Sequence, residues 1–197
     1  GFAEALDVCV SRAKAGGGGY VCFANVHSIT EGTRNDKVQC ALNHSFLSVA
    51  DGMPLVWVSK LKQQAIGSRV CGPDLMTALL ERSNALGIQN GFIGGSPGQA
   101  ERVAERFQLH QAASYSPPYR AFDKNHVRED WEAFLNKAGG HAPHIVWVGR
   151  GAPKQELWME EASRLSPSTL FMGVGAAFDF LTGSKSRAPL WMQNNGL

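Results

Sequence analysis

The chain has 197 residues, of which 44% are hydrophobic and 18% charged. This composition excludes disordered, collagen-like and coiled-coil proteins, and the length suits one domain, or two small lobes around one core. Because the formal net charge is only +2, overall charge does not favour nucleic-acid binding, and we expect no nucleic-acid partner.

Hydrophobic periodicity, together with glycine and proline breaks, predicts secondary structure along the chain. Helices are predicted over 2–15, 37–49, 75–86, 99–107, 127–138 and 154–164, with Asp74 as the N-cap of the third and Gly87 at its end. Strands are predicted over 20–24, 91–93, 144–148 and 169–174. This alternation favours an α/β, Rossmann-like fold with a mainly parallel sheet flanked by helices.

Cysteine and histidine positions indicate neither disulfides nor a metal site. Cysteines at positions 9, 22, 40 and 71 form no C-x-x-C pair, and we expect them to be free, buried thiols. His27 and His44 have no second ligand at helical spacing. No signal peptide and no run of 18 apolar residues is seen in this sequence, which favours a cytoplasmic protein.

Three predicted strands run into glycine-rich turns: Gly94-Gly95, Gly149-x-Gly151 and Gly173-x-Gly175. Backbone N–H groups in such turns can approach an anion such as a diphosphate. Each turn alone is explained equally well by a tight strand-to-helix connection, whereas three together indicate a nucleotide. The chain has no G-x-x-x-x-G-K-[ST] motif and no third glycine of a dinucleotide fingerprint, which disfavours kinases and dehydrogenases.

Several polar residues allow both a structural and a functional interpretation. Asp51, in Ala50-Asp-Gly-Met-Pro54, suits either a turn or a general base. Asn25 follows the first strand and can hold a sugar hydroxyl or stabilise a turn. Arg69 can bind phosphate or remain a solvated surface charge. The densest cluster of such residues is Gly149-Arg-Gly-Ala-Pro-Lys-Gln-Glu156.

Six blocks occur in a fixed order along almost the whole chain. They are Phe23-Ala-Asn25-Val-His27, Ala50-Asp-Gly-Met-Pro54, Arg69-Val-Cys-Gly-Pro-Asp-Leu75, Phe92-Ile-Gly-Gly-Ser-Pro-Gly98, Val148-Gly-Arg-Gly-Ala-Pro-Lys-Gln-Glu156, and Gly173-Val-Gly-Ala-Ala-Phe-Asp179 through Arg187-Ala-Pro189. Together they closely resemble the WecG/TagA/CpsF family of bacterial glycosyltransferases.

The resemblance implies a reaction and its partners. It implies one catalytic domain over 1–197 that transfers a sugar from a UDP-sugar to a saccharide on undecaprenyl diphosphate, with inversion and without a metal or cofactor. This reaction belongs to bacterial surface polysaccharide biosynthesis, at the inner face of the cell membrane.

The resemblance also implies roles for individual residues. Asp51 matches the proposed base of the family, and Arg69 suits the departing diphosphate. Asn25 and Gln155 match positions that hold sugar hydroxyls or phosphate oxygens, and Asp179 is a candidate for the nucleoside. The turn glycines Gly94, Gly95 and Gly151 are assigned to substrate binding.

Two departures from the family pattern affect these expectations. Phe23 stands where many members carry Thr, which removes a polar contact and leaves the donor sugar open. Members usually continue past Gly196-Leu197 into a basic and apolar segment that contacts the membrane. We expect that segment to be missing here, with self-association as a plausible substitute for the membrane.

Two other functions remain open on sequence grounds. A UDP-sugar epimerase or dehydrogenase would need NAD, which the interrupted glycine pattern disfavours. A non-catalytic nucleotide-sugar-binding module is the second alternative. The residues identify neither the sugar nor the acceptor saccharide.

Overall fold

The computed structural model describes residues 1–64, 66–189 and 191. In this part of the chain the strands are β1 (Gly19–Ala24), β2 (Leu47–Ala50), β3 (Asn90–Gly94), β4 (Ala113–Tyr115), β5 (Ile145–Gly149) and β6 (Leu170–Gly173). The helices are α1 (Phe2–Lys14), α2 (Val26–Arg34), α3 (Asp36–Asn43), α4 (Met53–Leu61), α5 (Gly72–Leu86), α6 (Gln99–Arg106), α7 (Lys124–Lys137), α8 (Lys154–Leu165) and α9 (Ala177–Leu181).

The six described strands form one parallel sheet in the order β2-β1-β6-β5-β3-β4. Its register brings the carboxyl ends of neighbouring strands together. Gly94 pairs with Gly149, and Gly173 pairs with both Val148 and Cys22. The turns that follow these strands therefore leave the sheet side by side. The sheet and its flanking helices confirm the predicted α/β, Rossmann-like fold.

Both faces of the sheet are covered by helices, as parallel sheets require. Trp147 of β5 belongs to a core cluster with α1, α5, α6 and α9, whereas its neighbour Val146 packs with α7 and α8 on the other face. The indole N–H of buried Trp147 donates to the side-chain oxygen of Asn90 over 2.9 Å. Successive side chains of one strand thus belong to opposite halves of the core.

Several predicted elements differ from the structure. The helix predicted over 37–49 ends at Asn43, and Leu47–Ala50 instead pairs with β1 as strand β2. This local prediction was wrong because strand pairing outweighs helix periodicity here. The hydrophobic periodicity predicts none of α2, β4 and α4.

Two side-chain predictions were also wrong. Asp74 is not the N-cap of α5, because the helix begins at Gly72 with Cys71 at the N-cap, and Asp74 lies in the first turn. Cys40 is exposed, whereas the other three cysteines are buried; all four are free thiols. Cys40 lies on the short helix α3, at a position that does not face the core.

The expectation of a missing C-terminal segment concerns the chain end, where residue 190 and residues 192–197 lie outside the described part. Among the described helices, none combines the length and hydropathy needed to cross a membrane.

Candidate active site

The sheet topology creates a crevice between β5 and β3. From β3 the chain continues outward to β4, whereas from β5 it continues in the opposite direction to β6. Open parallel sheets bind ligands at such a switch point, outside the carboxyl ends of the strands. Gly94 ends β3 and Gly149 ends β5, so two of the predicted glycine turns form the walls of this crevice.

A cavity of about 420 Å³ occupies the crevice and is called the switch-point cavity below. Its lining includes Gly94, Gly95, Gly151 and Asp179. Gly94 has a φ of +105°, and a Cβ there would lie 2.3 Å from the carbonyl oxygen of Gly149. The Gly95 N–H donates to that same oxygen over 3.1 Å. This glycine turn is therefore needed for the close approach of two strand ends.

Positive charge in the switch-point cavity comes from four side chains: Arg120, Arg150, Lys154 and Lys185. Behind the cavity wall lies Asp130, whose side chain is fully buried. Its Oδ1 accepts from Arg120 over 2.7 Å, and its Oδ2 accepts from Arg150. One buried carboxylate thus holds two guanidinium groups at the cavity wall, an arrangement suited to binding an anion.

Asp179 lies on the same wall with both carboxylate oxygens engaged. Its Oδ1 accepts from the Gln99 amide and its Oδ2 from the Lys185 ammonium, each over 2.6 Å. The hydrogen bond from Lys185, followed by that from Gln99, lowers the pKa of Asp179. This carboxylate is therefore ionised at neutral pH and fixed in orientation.

A second cavity of about 360 Å³ adjoins the first and is called the carboxylate cavity below. It lies at the carboxyl ends of β1, β2 and β6, and the two cavities share the lining residues Gly175 and Ala176. Four predicted site residues line it: Asn25, Asp51, Arg69 and Gln155. The eight predicted site residues are thus divided equally between two connected cavities.

Asp51 follows directly after β2, and its backbone N–H donates to the carbonyl of Ala24 at the end of β1 over 2.7 Å. Its side chain is 21% exposed and pairs with Arg69. Burial raises the pKa of Asp51, and the charge of Arg69 offsets only part of this effect. A partly buried carboxylate with a raised pKa is a stronger base than an exposed one, as general-base catalysis requires.

Cys71 connects Arg69 to a second arginine. Its Sγ accepts from Arg69 over 3.4 Å and from Arg187 over 3.3 Å, while Arg187 also binds both carboxylate oxygens of Asp74. Burial, followed by the nearby carboxylates of Asp51 and Asp74, raises the pKa of Cys71 to about 12. The thiol is therefore neutral and suits a role in orienting the arginines rather than one as a nucleophile.

Gln155 and Asn25 have structural contacts besides their place in the cavity. The Oε1 of Gln155 accepts from the Gly175 N–H over 2.9 Å and so ties α8 to the turn after β6. The Oδ1 of Asn25 caps α2 by accepting from the Ser28 N–H over 3.0 Å. The structural interpretation of Asn25 is thus confirmed, and the side chain also lines the carboxylate cavity.

The Glycosyl transferase WecG/TagA/CpsF family model matches residues 1–197, the whole chain. The chain belongs to this family. Membership in the WecG/TagA/CpsF family supports a glycosyltransferase function, with a sugar donor and an acceptor as substrates.

In this WecG/TagA/CpsF chain the resemblance blocks supply residues to both cavities. Phe23 is buried and lines the carboxylate cavity. In the described part of the chain, no three His, Cys, Asp or Glu side chains are grouped so that they could hold a metal ion.

Sequence reasoning missed part of the switch-point cavity. Arg120 lies between β4 and α7, Asp130 lies on α7, and Lys185 follows α9. No motif marks these residues, because their common site arises only on folding. Arg150 and Lys154 belong to the dense 149–156 cluster, which could have identified them.

Proposed function

We propose that this chain is an inverting glycosyltransferase that moves a sugar from a UDP-sugar to a saccharide on undecaprenyl diphosphate in bacterial surface polysaccharide biosynthesis. The observation that carries the proposal is the junction of a cationic cavity with a cavity that contains a partly buried carboxylate. The single sheet supports one catalytic domain over 1–197.

The switch-point cavity suits the UDP part of the donor. Its arginines and lysines neutralise the diphosphate from side chains, so the proposal requires no divalent metal. The turns at Gly94, Gly95 and Gly151 carry no side chains, so the ligand can approach their backbone closely. We assign the nucleoside to Asp179, since each of its carboxylate oxygens can accept a second hydrogen bond.

The carboxylate cavity suits the transfer step. Asp51 takes the proton of the acceptor hydroxyl as that oxygen attacks the anomeric carbon from the face opposite UDP. The new C–O bond forms as the bond to the diphosphate oxygen breaks, and UDP departs with the bonding electron pair. Arg69, with the cations of the switch-point cavity, stabilises the charge on the leaving group, while Asn25 and Gln155 contact the sugar.

We place the enzyme at the cytoplasmic face of the membrane, where an undecaprenyl-linked acceptor would be reached. Support comes from α4, on which Trp57, Val58 and Leu61 are 47%, 49% and 85% exposed. Such an apolar surface favours contact with lipid or with a second copy of the chain. Sedimentation with and without anionic lipid vesicles distinguishes membrane binding from self-association.

Calorimetric titration with UDP in the presence of EDTA tests the donor site, with ATP and NAD as controls. We expect UDP to bind and ATP and NAD to bind at least tenfold more weakly. Equal binding of all three, or binding of NAD alone, would contradict the proposal. Selective binding of NAD would favour the epimerase or dehydrogenase alternative.

A further inference from the structure

Glu156 is a buried carboxylate of the carboxylate cavity that the proposed transfer step does not use. It lies in the first turn of α8, is only 2% exposed, and lines the cavity together with Asp51. Other buried residues of this helix include Trp158, Met159 and Ala162. The buried face of α8 packs into the core. If position 156 served only the stability of the fold, an apolar side chain there would be more favourable than a carboxylate.

The side chain of Glu156 has an unused hydrogen-bonding atom. Within the described part of the chain, its buried Oε2 has no hydrogen-bond partner. The carboxyl group of Glu156 accepts from the Gln155 side chain, but among the described side chains none forms an ion pair with it, whereas Asp51 in the same cavity pairs with Arg69. A buried carboxylate oxygen without a donor is costly, and native proteins rarely retain one without a function.

The position of Glu156 relates it to the donor rather than to the acceptor. Lys154, two residues earlier, lines the switch-point cavity, while Gln155 and Glu156 line the carboxylate cavity. The first turn of α8 therefore extends from the proposed diphosphate site into the adjoining cavity. A sugar attached to that diphosphate would therefore lie along this turn beside Glu156, whereas Asp51 follows β2, a different element.

We propose that Glu156 selects the donor sugar by accepting a hydrogen bond from one of its hydroxyl or amide N–H groups through Oε2. This inference rests on the proposed function and assigns a specificity determinant to it. A sugar of the correct stereochemistry donates a hydrogen bond to the buried oxygen. A sugar with no hydroxyl or amide N–H at that position leaves the oxygen unpaired. Sites that hydrogen-bond a substrate hydroxyl reject analogues without it strongly for this reason.

The test compares sugar binding with nucleotide binding. Calorimetry gives dissociation constants for UDP, UDP-glucose, UDP-N-acetylglucosamine and UDP-N-acetylmannosamine with the wild-type chain, Glu156→Ala and Glu156→Gln. For the sugar that the wild-type chain binds best, we expect Glu156→Ala to lose at least tenfold in affinity relative to UDP. Glu156→Gln, whose amide keeps one acceptor oxygen, should lose less. UDP affinity should change by less than twofold in both variants.

Glu132→Gln is the matched control, because Glu132 is exposed on α7, and it should leave all affinities unchanged. An unaltered preference among the sugars in both Glu156 variants would overturn the inference, as would an equal loss for UDP and every UDP-sugar. A wild-type chain that binds UDP but gains no affinity from any of the three sugars would also overturn it.

Absence of UDP binding by the wild-type chain would instead refute the proposed function on which the inference rests. If Glu156→Ala fails to fold, the near-isosteric Glu156→Gln carries the test.

Discussion

The Oδ1 of Asp51 lies 3.4 Å from the Nη2 of Arg69, although the two residues are 18 positions apart in sequence. The side chains are 21% and 23% exposed, so both are partly withdrawn from water. The burial of Asp51 raises its pKa more than the Arg69 charge lowers it. The pair therefore combines a carboxylate of raised basicity with a cation at one cavity wall.

Asp51→Asn should abolish sugar transfer while leaving UDP binding intact. The amide keeps the shape of the side chain but cannot take a proton, and a general base contributes about 10²–10⁴-fold to rate. Turnover is measured with a UDP-sugar and a lipid-linked acceptor, alongside calorimetry with UDP. Wild-type turnover in Asp51→Asn would show that another group is the base.

The raised pKa of Asp51 has a consequence for stability. Because the folded-state pKa exceeds the ordinary value of 3.8, folding disfavours the ionised form. The resulting penalty is fully present above the folded-state pKa and vanishes below the unfolded-state pKa. Asp51→Asn should thus be at least as stable as wild type at pH 7, and any advantage should shrink as the pH falls towards 4. Urea unfolding at pH 7, 5 and 4 measures this difference, and an advantage that grows in acid would contradict it.

Asp130→Asn should weaken both the fold and the cationic cavity. The substitution leaves Arg120 and Arg150 without their buried counter-charge, and breaking a buried ion pair typically costs about 3–5 kcal/mol. UDP affinity should fall because the two guanidinium groups lose their fixed positions. Urea unfolding and calorimetry measure the two effects.

Glu129→Gln is the control for Asp130→Asn, because Glu129 also pairs with Arg120 but is 60% exposed. An exposed pair contributes at most about 1 kcal/mol, so stability and UDP affinity should change little. Equal effects of the two substitutions would show that the burial of Asp130 contributes neither to stability nor to UDP binding.

Gly94→Ala should destabilise the protein strongly. The residue has a φ of +105°, and the new Cβ would lie 2.3 Å from a carbonyl oxygen of the neighbouring strand end. Backbone strain and steric overlap together should cost about 3 kcal/mol or more. Gly139→Ala is the matched control, since Gly139 has a φ of +69° with no atom within 4 Å of a Cβ. Gly139→Ala should lower the free energy of unfolding by only about 1–2 kcal/mol. Similar losses of stability in the two variants would exclude the close contact at Gly94 as the cause.

The strands and glycine turns could be predicted because their signals are local. The predicted strands over 91–93, 144–148 and 169–174 correspond to β3, β5 and β6. Strand β2 could not be found in this way. Its four residues follow a helical pattern directly, and they become a strand by pairing with β1.

Site residues, like strands, could be predicted only where a local sequence pattern marks them. Asp51 and Arg69 stand in recognisable blocks, whereas Arg120 and Asp130 have no motif and meet Arg150 only in the folded chain.

The amino-acid sequence by itself determined the alternation of strands and helices, the glycine turns and the family, because each depends on residues close together in the chain. Only the tertiary structure decided that the candidate residues line two connected cavities. It alone showed that Asp130 orients two arginines and that Glu156 is buried with an unpaired oxygen. These features depend on burial and on contacts between distant segments, which strand register and helix packing establish.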